Sequence, residues 1–379
     1  MSTTTTFDVR QLPELYRIDP ARVALAKSRQ TAVWAGRKPD AYPIFFSAGL
    51  TADQAVIPRA NYREAFFDAD LMLCTQFRGA CTAANAKSDA VPSIRANLGT
   101  GILLSCLGLE QEVFEDKMPW LQERLTKEQV RRLEPDDIKV QGSFARGLEQ
   151  MRHFRAIMGE AVAIYCMDTQ GPLDLAHLLL GDDLFLDMYD DPAFVHHALE
   201  LCVELTLRTT RWMKEVSGEP AETIYHGNQI YAENMGVRVC EDTTVLISPE
   251  SIEEFAMPYT RRVAQAFGGA WVHYCGRNDH LTDAILSIPE VRGINFGHIP
   301  GHVHDQPFEQ VMQRCLAAGK LYKGNWPRFE GESGRAYLDR MWRWAQKGCL
   351  IPVGNPAVKG ADGFGSVAAA QDYWYALQA

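Results

Sequence analysis
From Pro43 onward, short apolar runs ending in Gly, Asn or Asp alternate with longer stretches of helical period. Repeated βα units around a parallel sheet produce this alternation. The pattern predicts strands at YPIFFS (42–47), AVPSIRA (90–96), AVAIYCM (161–167), TIYHG (223–227), GVRVCED (236–242), AWVHYC (270–275), RGINFG (292–297), KLYKGN (320–325) and CLIPVGN (349–355). Between them lie helical stretches such as DDPAFVHHALELCVELTLRTTRWMKEV and SPESIEEFAMPYTRRVAQAF. The second opens on Ser-Pro-Glu, an N-cap followed by a proline in the first turn. The count is close to eight, so an α/β fold of the (β/α)8 barrel type fits better than an open sheet. Before the first strand, Leu12, Leu15 and Tyr16 and then ARVALAKSRQTAVWAG read as helices. The expected organisation is an N-terminal helical extension over residues 1–40 and a barrel over 41–379.

The polar positions have their own order. Arg95 and Asn97, Asp168, His226 with Asn228, Glu241 with Asp242, His273 with Cys275, Asn295 with His298, Asn325 and Asn355 all fall at or just past the C-terminal end of a predicted strand. In a barrel those ends converge on one face, where active sites are built. Strand ends turn polar in any protein, so the recurrence carries more weight than any single residue.

Hydrophobic residues make up 46% and charged residues 23%, the balance of a chain that folds by itself. A formal net charge of −10 and the lack of any Lys/Arg-rich run argue against nucleic acid as a ligand and leave a small molecule. No stretch approaches the roughly 20 apolar residues of a membrane span. The start, MSTTTTFDVRQLPELYR, lacks the basic end and apolar core of a secretory signal. A cytoplasmic location is expected. The nine cysteines are scattered without a C-x-x-C pair, which suits reduced thiols rather than a disulfide framework.

Only Cys275 has a neighbour that changes its reading. His273 and Cys275, two apart on a strand, point to the same side, so an imidazole nitrogen and a sulfur can meet on one cation. A third ligand must come from another strand. His298, after the next strand, is the favoured one, and Glu241 and Asp242, ending the preceding strand, could ligate or act as base. Cys349, at the start of the last strand, belongs to the opposite end. The NLGTG run (97–101) could cradle an anion beside Arg95, or be only a turn. No G-x-S-x-G elbow, Walker loop or dinucleotide fingerprint is present, so hydrolase, nucleotide and nicotinamide readings have no anchor.

Several segments together resemble the uroporphyrinogen decarboxylase superfamily, in particular its corrinoid and coenzyme M methyltransferase branch. They are DTQGPLDLAHLLLGDDLFLDMYDDPAFVHHAL (168–199), EDTTVLISPESIEEFAMPYTRRV (241–263), WVHYCGRN (271–278), YKGNWP (322–327) and GCLIPVGNP (348–356), with VPSIRANLG nearer the N-terminus. The resemblance implies a (β/α)8 barrel with N-terminal helical additions. It also implies zinc held by a His-x-Cys pair and a distant cysteine, activating a thiol that receives or gives up a methyl group. His273 and Cys275 match the pair, whereas Asn355 stands where the distant cysteine is expected, and an amide oxygen is a poor substitute for a thiolate. The metal would then be held with His298 or Glu241, or be absent. Asp168, Asn97 and Asn228 would orient a small-molecule substrate, with Arg95, His226, Asn325 and Asn355 lining its site. A corrinoid would come on a partner protein, since the chain has no D-x-H-x-x-G segment. A second copy of the chain, as a homodimer, is another candidate partner.

The decarboxylase branch carries an R-x-A-G-R-Y segment, and here only VWAGRKPD (33–40) comes near it, without the first Arg or the Tyr. Porphyrinogen-type decarboxylation without metal is the alternative enzyme reading. A barrel that binds a small metabolite without turnover is the third.

Overall fold
The computed structural model describes residues 7–16, 18–297, 307–354 and 363–379. The strands are β1 (Ser93–Ile94), β2 (Gln111–Glu112), β3 (Trp120–Leu121), β4 (Ala163–Ile164), β5 (Thr223–His226), β6 (Ile230–Glu233), β7 (Val237–Cys240), β8 (Ala270–Cys275), β9 (Val291–Gly297), β10 (Leu321–Asn325) and β11 (Leu350–Val353). A five-stranded parallel sheet runs in the order β11-β10-β9-β8-β7. Parallel bridges lengthen it at both edges, Phe45 to Val353 on one side and Gln170 to Cys240 on the other. Gln170 follows β4, which pairs in parallel with β1.

Between β1 and the Phe45 segment the contact is looser. Asp89 N–H donates to Ile44 O at 3.1 Å, and Phe46 N–H donates to Ser88 Oγ at 3.1 Å. The regular ladder is therefore open among the described residues. Asp89, fully buried, clamps the gap by accepting from Arg29 Nη1 at 2.9 Å, Tyr375 Oη at 2.7 Å and Ile44 N at 3.1 Å.

One expected strand belongs elsewhere. TIYHG is β5, and it turns back antiparallel onto β6 rather than joining the parallel sheet. Gly227 and Asn228 both lie at positive φ, 59° and 60°, and Gln229 N–H donates to His226 O. This is the primed geometry that closes hairpins, which glycine and asparagine adopt at least cost. One expected helix is also two: Pro249–Phe255, capped by Ser248 as its sequence suggests, and Met257–Ala266. Pro258 has no N–H to continue the first helix, and the break falls at Ala256.

Period-two alternation along β8, β9 and β10 divides the interior into two cores. Outward, Tyr274, Phe296 and Tyr322 stack in sequence, with centroids 5.9 and 4.7 Å apart, and join the large cluster under the helices. Inward, Trp271, Leu321, Ile351 and Phe45 form a second cluster with Trp34. Trp34 ends the helix Pro20–Trp34, which packs on β6, so hairpin and helix together plug the end where the parallel strands begin. Gly293 makes the fit possible, because a Cβ there would lie 2.4 Å from Leu321 O and 2.9 Å from the Trp34 ring. Among the described residues no helix is long and apolar enough to cross a membrane.

Candidate functional site at the carboxyl ends of β7 to β10
Strand register places Cys240 beside His273 and His273 beside Asn295. Leu321 pairs with Gly293, so Lys323 extends the same inward row onto β10. His273 Nδ1 lies 2.6 Å from Asn295 Oδ1, and Asn295 Nδ2 donates to Lys323 O at 2.8 Å. With its NH2 group committed to a carbonyl, the amide must present its oxygen to the imidazole. His273 therefore carries its proton on Nδ1 and presents a lone pair at Nε2.

Three donors surround that lone pair. Cys275 Sγ lies 3.4 Å from Nε2, and Asp242 Oδ1 lies 3.8 Å from it. Cys240 Sγ, Asp242 and His273 also have ligand atoms within 4.8 Å of one another. Asp242 Oδ1 is sealed from solvent and has no hydrogen-bond partner among the described residues. Burial, with the nearby Arg238 charge, pushes the His273 pKa down to about 4, against the pull of Asp242 and Asn295. Burial and the Asp242 charge push the Cys275 thiol up to about 11. At neutral pH the site thus holds a neutral imidazole beside a protonated thiol, with the unpartnered Asp242 Oδ1 3.8 Å from the imidazole Nε2.

Asp242 is held from behind. Asp174, in the helix Pro172–Leu180, accepts from Asp242 N at 2.9 Å and Thr243 N at 2.7 Å. Glu241 points the other way, because adjacent residues in an extended chain alternate sides. Its carboxyl is fully buried and accepts from Thr260 Oγ1 and, at 2.9 Å, from Thr244 Oγ1. Only its backbone touches the pair, through Glu241 N–H to His273 O at 2.7 Å. Burial raises the pKa of both Glu241 and Asp174, helped by the Asp174 charge at Glu241 and by the Asp242 charge at Asp174. Gly171 makes room, since a Cβ there would lie 2.5 Å from Glu241 Oε1.

Deeper in the interior, Arg95, Tyr165, Asp168, His226 and Arg238 line a cavity of about 10 Å³, room for about one water. Asp168 accepts from Thr169 N at 2.8 Å and Gln170 Nε2 at 3.0 Å and lies 3.6 Å from Arg238 Nη1. Arg95 donates to Met167 O at 2.7 Å. The His226 ring packs against Tyr165 and Trp271, both at 5.2 Å, and burial pushes its pKa well down.

The sequence matches the family model described as Uroporphyrinogen decarboxylase (URO-D) over residues 25–300, nearly three quarters of the chain. The chain belongs to the uroporphyrinogen decarboxylase family. No curated protein matches it.

Within this URO-D chain the anticipated site residues separate into groups. His273 and Asp242 come together with Cys240, and Cys275 Sγ lies 3.4 Å from His273 Nε2, while Arg95, Asp168 and His226 form the cluster beneath them. Glu241 lies behind β7, facing threonines rather than the metal-type donors. Asn97 lines a separate groove of about 550 Å³ with Arg59, Tyr62 and Glu115. Asn228 is a turn residue whose side-chain nitrogen sits against Gly79, and Asn325 is exposed at the end of β10. His298 and Asn355 lie outside the described residues. The NLGTG turn is already filled, because Gln111 Oε1 accepts from Gly101 N at 3.1 Å and Gln111 Nε2 donates to Leu98 O at 2.7 Å. Arg238, Cys240 and Lys323 were not among the anticipated site residues. Their signal was strand alternation: 238, 240 and 242 share a face, as do 321, 323 and 325.

Proposed function
We propose that this URO-D chain is a methyltransferase whose His273, Cys275 and Asp242 hold a zinc ion, and that its parallel segments form the wall of a (β/α)8 barrel. The observation that carries the metal reading is that Cys275 Sγ lies 3.4 Å and Asp242 Oδ1 3.8 Å from His273 Nε2, beside Cys240, whose ligand atom lies within 4.8 Å of those of Asp242 and His273. One nitrogen, one sulfur and one oxygen make an acceptable three-ligand zinc set with a position left for substrate. The donors also fit in protonation, since only the Cys275 proton must leave, and a cation beside it supplies the drive. When bound, zinc lowers the pKa of a coordinated thiol and so favours thiolate attack.

The chain's own residues do the rest. Asn295 fixes the imidazole tautomer, Asp174 holds the Asp242 turn, and Trp271 closes the floor. In this reading the methyl donor or acceptor is a corrinoid carried by a partner protein. Elemental analysis tests the first step: wild type should carry about one zinc per chain, and His273→Ala and Cys275→Ala should each lose it. Metal-free wild type after gentle purification would sink the reading. Cobalamin-dependent demethylation of a panel of methylated donors tests the second step.

One observation favours a decarboxylase reading instead. Arg95 and Arg238 bring two cations to the interior beside Asp168, and acidic substrates need cationic partners. Release of CO2 from a porphyrinogen by zinc-free protein would select it.

A further inference from the structure
Cys240 ends β7 on the face it shares with Arg238 and Asp242, and it is only 2% exposed. Strand register sets it directly across from His273 on β8. One ligand atom from each of Cys240, Asp242 and His273 lies within 4.8 Å of the other two. Cys275 Sγ approaches the same imidazole from further along β8, 3.4 Å from Nε2. The surroundings of Cys240 also differ from those of the other buried thiols. Cys74, Cys81, Cys106, Cys202, Cys315 and Cys349 pack within the large apolar core. Cys240 belongs to neither apolar cluster and lies among the charges of Arg238, Asp174, Asp242 and Asp168.

A cysteine buried for packing behaves as a small hydrophobe, whereas one set among polar groups has its sulfur available for chemistry. Zinc accepts thiolate, imidazole and carboxylate donors, and two sulfurs, one nitrogen and one oxygen complete a tetrahedron. Thiolates also narrow the choice of ion, since they favour zinc over magnesium, calcium or manganese. Charge is the obstacle. Two thiolates and a carboxylate on a dication leave one net negative charge, which burial penalises. Arg238 offsets it, because its guanidinium is a hydrogen-bond partner of Cys240 and feels the Asp242 charge. Asp168, 3.6 Å from Arg238 Nη1, has Arg95 in the same cavity as a further counter-charge.

We propose that Cys240 is a second sulfur ligand of the ion held by His273, Cys275 and Asp242, and that Arg238 is a positioning residue balancing its thiolate. The proposal rests on the zinc reading and deepens it. Four protein donors then surround the resting ion, so access for substrate depends on one of them giving way.

X-ray absorption at the zinc edge of the full, zinc-loaded chain tests it. Wild type should show two sulfurs at about 2.3 Å. That count needs no variant, so it stands even if Cys240 proves essential for folding. Cys240→Ser and Cys275→Ser, each checked as folded by circular dichroism, should show one sulfur apiece. With cobalt in place of zinc, the near-ultraviolet sulfur-to-metal absorption should fall by about half in each. Arg238→Met should keep both sulfurs but weaken zinc binding about 10- to 100-fold in chelator competition, and Arg238→Lys should recover most of it. Zinc bound through a single sulfur in wild type, or two sulfurs persisting in folded Cys240→Ser, would overturn Cys240 and leave the zinc reading intact. Wild type that takes up neither zinc nor cobalt would sink the zinc reading and Cys240 with it.

Discussion

Glu241 and Asp242 are neighbours in sequence and opposites in circumstance. Behind β7, Glu241 sits fully buried with both carboxyl oxygens taken by threonine hydroxyls. Inside, Asp242 keeps its Oδ1 without a hydrogen-bond partner among the described residues, 3.8 Å from an imidazole nitrogen. Two acids on the two faces of one strand end thus do different work. The saturated one holds helices to the sheet, and the unsaturated one is available to a ligand. Burial alone does not tell them apart, but hydrogen-bond accounting does, because native structures rarely leave a sealed polar atom unpaired without a use for it.

Substitutions should separate the two faces. The largest effect is expected from Asp242→Asn, which should weaken zinc binding by more than about 100-fold in a chelator competition while barely moving the melting temperature. An unchanged affinity would show that the carboxylate is not a ligand. Asn295→Ala should cost about 10- to 100-fold in the same assay, through a freed imidazole rather than a lost donor. Asn295→Asp, which still accepts from Nδ1, should recover most of it.

Glu241→Ala inverts the pattern. It strands the Thr244 hydroxyl, leaves Thr260 only its bond to Ala256 O, and should lower unfolding free energy in urea by about 1–3 kcal/mol, leaving zinc affinity within a few-fold. If metal affinity collapses instead, the two faces are not separable. The smallest effect is in the pH profile. Glu241 and Asp174 have folded pKa values raised above their unfolded ones, so they bind protons more tightly in the native state. Their contribution to stability is full below the ordinary carboxylate range and is lost as pH rises toward neutrality and through their folded values. Glu241→Gln should flatten that slope in urea titrations run from pH 4 to pH 8.

The same alternation explains what the sequence disclosed and what it withheld. AWVHYC was legible to the residue, because a short apolar run bounded by glycines has one natural reading as a strand and puts His273 and Cys275 on one side. The Ser248 cap was equally plain. TIYHG resembled its neighbours in composition, and only its two successive positive-φ residues set it apart as half of a hairpin. Arg238 and Lys323 were overlooked because they stand inside strands rather than at their ends. Attention to strand ends favoured Asn325 and Asn228, which the fold leaves at the surface and in a turn. Glu241 and Asp242 share a strand end, and only the phase of the alternation, fixed by Arg238 and Cys240 facing inward, separates them.

The stopper formed by Trp34 and the β5–β6 hairpin has a kinetic corollary. With one end corked, the opening left among the described residues is the rim where β7 to β10 finish. Under the proposed methyl transfer, a large carrier docked there would stand in the way of the next small molecule, and donor and acceptor would visit in turn. Turnover through such a cul-de-sac should follow double-displacement kinetics, with parallel reciprocal plots when one partner is varied against the other.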